Sequence, residues 1–287
     1  MRIKPTAGNR VMGFGAKIEI QEIIKMWTIK NDNLVLSVSE KGAEVHSLKK
    51  VNDDYDYAWE GDKNYWAGRN PILFPQVSSN DDKTMLINGV TYKTGNHGFA
   101  RNAVFELAED KGDELVLKLS ENEDTLSQYP FKFELLVDYK LNGNRVDITY
   151  TITNNDEKDM PFGFGLHPAF NVDKDYKDTY VTFNKAEEGF GERIDISKEL
   201  FEKYPTVIIN KPEADVCTLY SNNHALAVEY KGFNIFAIWS QGPFVCLEPW
   251  MSWTAKDDHR ELKDRDNIKI LKPNEKETYK YSSIVVQ

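Results

Sequence analysis

Cysteine is nearly absent from this chain: two residues, Cys217 and Cys246, among 287. Two thiols cannot build the disulfide framework on which small secreted folds depend, so the core must come from apolar packing. Val216 precedes the first thiol, and Val245 and Leu247 flank the second, which points to two buried side chains. No apolar run approaches the ~20 residues of a helical membrane span. The opening segment, residues 1–25, is basic at its start but has no continuous apolar stretch, so it does not read as a secretory signal. An excess of positive charge is missing too. The net charge of −10 produces a field that repels phosphate backbones and anionic lipid. Neither nucleic acid nor a membrane is expected as a partner, and a cytoplasmic location is.

Missing motifs narrow the chemistry further. There is no H-E-x-x-H pair, no cysteine cluster, no G-x-x-x-x-G-K-S/T phosphate loop and no serine nucleophile elbow. Gly13-Phe14-Gly15 is too little for a nucleotide fingerprint. No metal and no cofactor is expected.

What is present is 40% hydrophobic residues, enough for a globular core, arranged with a period of two. Leu34, Leu36 and Val38 alternate with Val35 and Ser37. Phe133, Leu135, Val137, Tyr139 and Leu141 form a second set, and Val146, Ile148, Tyr150 and Ile152 a third. Such alternation puts apolar side chains on one face of a strand. Asn142-Gly143-Asn144 and Asn88-Gly89 read as hairpin turns, because glycine readily supplies positive φ. Further strands are expected at 115–119, 225–230, 233–239, 243–248 and 278–286. Helical pattern is scarce; the best candidate is 197–204, with Ser197 as N-cap and Leu200, Phe201 and Tyr204 on one face. The reading is all-β, a large antiparallel β-sandwich, with residues 26–287 as one domain and 1–25 as an extension.

Three segments interrupt the alternation, each setting an ionisable side chain among glycine, proline and aromatics: 95–102 around His97, 160–170 around His167, and 246–250 around Glu248. Such surroundings fix a backbone and exclude water, and desolvation moves pKa values. His97 lies between glycines, as either a ring satisfied in a turn or one offered to a ligand. His167 is held extended by Pro168, beside Phe164 and Phe170. Glu248 ends the apolar run Phe244-Val245-Cys246-Leu247, where a carboxylate needs a partner or a surface. Two histidines and a carboxylate could also bind iron, but the usual carboxylate two positions after the first histidine is replaced by Phe99. His46 in a polar-apolar strand, His224 in a turn and His259 in a charged stretch carry less.

Five segments, in order, carry a resemblance: Arg69-Asn70-Pro71-Ile72-Leu73-Phe74-Pro75, His97-Gly98-Phe99-Ala100-Arg101, Tyr129-Pro130-Phe131, Gly165-Leu166-His167-Pro168-Ala169-Phe170, and Leu247-Glu248-Pro249-Trp250. Together they resemble the aldose 1-epimerase (galactose mutarotase) family, particularly its bacterial lactose-operon-associated branch, from about Trp27 to Val286. The resemblance implies a β-supersandwich with a sugar cleft. It implies Glu248 as catalytic base, His167 as general acid, His97 as a second histidine on the sugar, and Arg69 as a sugar-hydroxyl contact. The family's galactose-specific enzymes add an upstream aspartate; Asp215 lies in the right region, but no motif supports it.

The implied reaction opens and recloses a hemiacetal in a small-molecule sugar, by a chain acting as monomer or homodimer. Ordinary values of ~4.3 for a glutamate and ~6.5 for a histidine would leave one group ready to accept a proton and the other able to donate one. Trp250, Trp239 or Phe170 could form a platform for the sugar. The same chemistry on a hexose 6-phosphate would need a cationic pocket, to which Arg101, Lys93 or Arg69 could contribute. A non-catalytic carbohydrate-binding protein is a rival from another class. A glycoside hydrolase would need a second carboxylate that the sequence does not nominate.

Overall fold

The computed structural model describes residues 24–286, so most of the expected N-terminal extension lies outside the described residues. The period-two runs form strands in the register their alternation demands. Phe133–Asn142 pairs antiparallel with Arg145–Asn154, from Asn142 opposite Arg145 to Phe133 opposite Asn154. Their apolar sets fall together on the buried face. These two strands lie within a nine-stranded antiparallel sheet. Its order from edge to edge is Gly191–Asp195, Tyr180–Glu187, Val216–Ser221, His224–Glu229, Lys276–Val285, Arg145–Asn154, Phe133–Asn142, Glu114–Ser120 and Glu106–Asp110.

A second sheet runs Val207–Asn210, Ile235–Gly242, Phe244–Trp250, Gly165–Leu166 and Ile72–Leu73, with Ala169–Asn171 also paired to Phe244–Trp250. Met26–Lys30, Leu34–Ser39 and Val45–Lys50 make a third, three-stranded sheet. One apolar cluster draws Leu36 from the third sheet, Leu135 and Tyr150 from the first, and Phe236, Val245 and Leu247 from the second. The fold is the expected large antiparallel β-supersandwich.

Why Phe244–Trp250 is buried along its whole length follows from this arrangement. Val245 and Leu247 enter the main core. Phe244 and Cys246 point the other way, into a smaller cluster with Trp59 and Ala169, and Trp250 joins Leu73, Val77, Ile235 and Ala237. The second sheet is therefore covered on both faces, and Glu248 belongs to the face away from the main core.

The turn and cap residues take the conformations their chemistry favours. Asn88 and Gly89 both have positive φ (51° and 76°), as a tight hairpin requires. The helix Lys198–Lys203 starts where Ser197 accepts the Leu200 N–H at 3.2 Å. Both cysteines are buried and unpaired.

Candidate active site

The backbone around His97 is built from glycine upward. His97 itself has φ of 67° and Gly98 has φ of 71°. A side chain on Gly98 would begin 2.2 Å from the Phe74 carbonyl oxygen, so only glycine fits. That carbonyl accepts the N–H groups of Phe99 and Ala100, locking the turn to the segment 69–75. The same segment carries the His167 loop: Pro71 O accepts the His167 N–H, Arg69 O that of Ala169, and Pro75 O that of Gly163. The 69–75 motif thus acts largely through its carbonyl groups.

His167 and Pro168 bridge the short strands Gly165–Leu166 and Ala169–Asn171. Gly165 pairs with Trp250, and Ala169 with Cys246. Stepping inward from either pair brings His167 opposite Glu248. A Cβ on Gly165 would come within 2.8 Å of the Trp250 ring, so this close approach also needs glycine.

His97, His167 and Glu248, far apart in sequence, line one cavity of about 340 Å³. Arg101 and Trp250 line it too, as do Trp66, Ser78, Asn96, Trp239 and Trp253. His167 Nε2 lies 3.3 Å from Glu248 Oε2, outside hydrogen-bond alignment. The two imidazoles stand nearly perpendicular, with centres 5.7 Å apart. Trp66 stacks on His167 at 4.8 Å and Trp239 meets it edge-on at 5.6 Å. His97 Nδ1 accepts the Ser78 backbone N–H at 3.0 Å. A neutral ring held this way carries its proton on Nε2.

Burial dominates the electrostatics. It pushes the Glu248 carboxyl well above its ordinary value, only partly opposed by the Trp250 indole and the Arg101 charge. It drives His167 well down, with His97 and Arg101 adding to the effect. His97 falls to about 3, again from burial first and Arg101 second. The ordinary values expected from sequence do not hold here, because a low-dielectric site penalises both charges, raising the carboxyl and lowering the imidazole. His167 Nδ1 and Glu248 Oε2 are both buried without a hydrogen-bond partner in the protein, which is unusual for native polar atoms.

Other sequence candidates fall elsewhere. Arg69 is absent from the cavity wall; its guanidinium lies beside Gly61. Lys93 is exposed on the strand Val90–Lys93, away from the cavity. Phe170 belongs to the main core. Asp215 accepts a hydrogen bond from Asn184 in an exposed position and does not reach the cavity. His46 is lowered to about 4 by burial and Arg69, His224 stacks on Tyr55 at 3.6 Å, and His259 sits near Asp81 and Asp82. Donor atoms of His167, Cys246 and Glu248 lie within 4.8 Å of one another, the one buried set among the described residues that could hold a metal ion. Glu44, not singled out from sequence, accepts the backbone N–H groups of Arg69 and Asn70 at 2.8 and 2.9 Å. Its charge also acts on Arg101.

A sequence profile of the aldose 1-epimerase family matches residues 25–231. The chain belongs to the aldose 1-epimerase family. The chain is 28% identical to the chromosomal protein LacX of Lactococcus lactis subsp. lactis, over 85% of this chain and 94% of that one. A galactose mutarotase-like protein from Lactobacillus casei superposes with a TM-score of 0.83 at 27% identity, over 91% of this chain and all of its own. A galactose mutarotase related enzyme from Lactobacillus acidophilus gives 0.85 at 27% identity, over 92% and 98%. The profile match of this aldose 1-epimerase family member includes His97 and His167 but ends before Glu248, whose case therefore stands on geometry.

Proposed function

We propose that the protein interconverts the α and β anomers of an aldose, with Glu248 and His167 as the proton-transfer pair. The observation that carries this reading is the approach of His167 Nε2 to Glu248 Oε2 at 3.3 Å on the wall of a cavity of about 340 Å³. That volume falls at the small end of the ~300–1,000 Å³ typical of ligand pockets, as a single sugar ring requires.

The Glu248 carboxylate takes the proton of the C1 hydroxyl while the C1–O5 bond breaks, its electron pair going to O5. His167 gives its proton to O5, leaving a C1 aldehyde. Rotation about C1–C2 presents the other carbonyl face. O5 attacks C1, His167 recovers the O5 proton, and Glu248 returns a proton to O1. Each group ends as it began, so no cofactor enters.

Burial fits this cycle. During the open-chain stage the pair is a protonated carboxyl and a neutral imidazole, the form that desolvation favours. The closed ring needs the ion pair, reached by moving one proton between adjacent groups with no change of net charge. Arg101 and the sugar hydroxyls stabilise the carboxylate in that form. His97, neutral and oriented through Ser78, offers Nε2–H to a sugar oxygen. Trp66, Trp239 and Trp250 supply apolar faces for its C–H bonds.

A hexose 6-phosphate is less well served, because of Arg69, Lys93 and Arg101 only Arg101 lines the cavity. Polarimetry on freshly dissolved glucose or galactose tests the reading. The protein should hasten the decay to equilibrium rotation; an unchanged decay across a panel of aldoses would remove it.

A further inference from the structure

The aldose cavity has a larger neighbour across one tryptophan. Trp253 lines it and also lines a second cavity of about 700 Å³. Trp253 is 43% exposed, an unusual state for a tryptophan, and its ring packs on no other aromatic ring among the described residues. Two strands run beneath both spaces. Val207 and Ile209 point into the main core, so Ile208 and Asn210 face outward together. Ile208 lines the first cavity and Asn210 the second. On the neighbouring strand Trp239 lines the first and Ile235 the second. Four residues of strand separate them by roughly 13 Å, more than one pyranose ring occupies.

The chemistry of the second cavity suits an uncharged polyol. Asn210, Asn234, Asn267 and Asp257 offer donors and acceptors beside the open Trp253 face. Arg260 is engaged by Asp258 (3.0 and 2.9 Å) and by Asp266 (3.4 and 3.3 Å), so its charge is already compensated. Three aspartates, set against Lys211, His259 and that paired arginine, leave the cavity without the cationic excess a phosphate needs. A third cavity shares Trp239 with the aldose site, but that ring packs against Trp66 at 5.4 Å and Phe244 at 5.5 Å, unlike the unstacked Trp253.

We propose that the substrate is a reducing oligosaccharide of at least two rings, its aldose end at Glu248 and His167 and its next, uncharged sugar residue in the cavity beyond Trp253. The proposal rests on the epimerase reading and extends it to substrate class.

Initial rates of anomer interconversion test it, with glucose, galactose, maltose, cellobiose, lactose and glucose 6-phosphate as probes. At least one disaccharide should exceed glucose in kcat/KM by about tenfold, the ratio expected from a modest set of added contacts. Asn210→Ala with Asn267→Ala should bring that ratio towards one. If glucose is interconverted and no disaccharide exceeds it, or glucose 6-phosphate is preferred, the second subsite is overturned while the epimerase reading stands. If no sugar is interconverted, that reading fails, and calorimetry with methyl cellobioside and methyl glucoside, blocked at C1, decides the subsite separately. Tighter binding of the disaccharide, lost in the double variant, supports it; equal binding overturns it.

Discussion

His167 and Glu248 face each other across an antiparallel register, midway between the pairs Gly165–Trp250 and Ala169–Cys246. Opposed side chains on one sheet face come within ~4.5–5.5 Å at Cβ, so the pairing of main chains sets the distance between acid and base. Two carbonyl groups then secure the loop: Pro71 O takes the His167 N–H and Pro168 O takes the Leu247 N–H.

The first prediction concerns pH and rate. The pair holds one proton between the lowered value of His167 and the raised value of Glu248, whichever partner carries it. A profile of kcat/KM, extrapolated to zero buffer because buffers catalyse mutarotation, should be flat through the ordinary histidine value of ~6.5. A fall to half-activity there would mean that His167 titrates as an exposed imidazole.

A second prediction links pH to stability. His97 falls from 6.5 to about 3 in the folded chain, and His46 to about 4. Folded values below unfolded ones mean that the unfolded state takes up protons first as pH falls. Stability from these groups is present above ~6.5 and is lost as pH falls through about 4 and then about 3. Thermal melting temperatures should decline across that window, and His97→Asn should make the decline shallower. Parallel curves for variant and wild type would contradict this.

Glycine substitutions separate conformation from crowding. Gly89 and Gly98 both have positive φ, but an added Cβ meets nothing within 4 Å at Gly89 and a carbonyl oxygen at Gly98. Gly89→Ala should cost about 1–2 kcal/mol, the left-handed penalty alone. Gly98→Ala should cost clearly more and reduce activity through His97. Equal losses in urea denaturation would show that the Phe74 contact yields.

His97 and Asp215 should differ from the proton-transfer pair. His97→Ala removes one neutral donor, worth ~0.5–1.5 kcal/mol, so kcat/KM should fall roughly tenfold or less. Asp215→Ala should leave mutarotation unchanged, since Asp215 bonds Asn184 away from the cavity. A large loss in the Asp215 variant would mean that it reaches the sugar.

Much of the fold was legible because alternation is a local property. The hairpin Phe133–Asn142 to Arg145–Asn154 and the Ser197 cap needed only neighbouring residues. The helix Glu123–Gln128 was missed: it is short and mostly polar, and its cap is a reciprocal bond between Asn122 and Thr125. The three site segments stood out where glycine, proline and aromatics broke the strand period. Trp66, Ser78 and Glu44 did not, because they reach the site from loops or through backbone groups that carry no side-chain pattern. Protonation at the site is hidden from the sequence for a related reason. Depth of burial at Glu248 is produced by sheets remote in sequence, and no local motif reports it.

The central claim is that Glu248 moves the proton that opens the hemiacetal. Polarimetry of freshly dissolved glucose or galactose, comparing wild type with Glu248→Gln at matched concentration and confirmed folding, tests it most directly. The account predicts that the variant loses ~10²–10⁴-fold of the catalysed rate. Mutarotation by Glu248→Gln at the wild-type rate would contradict it.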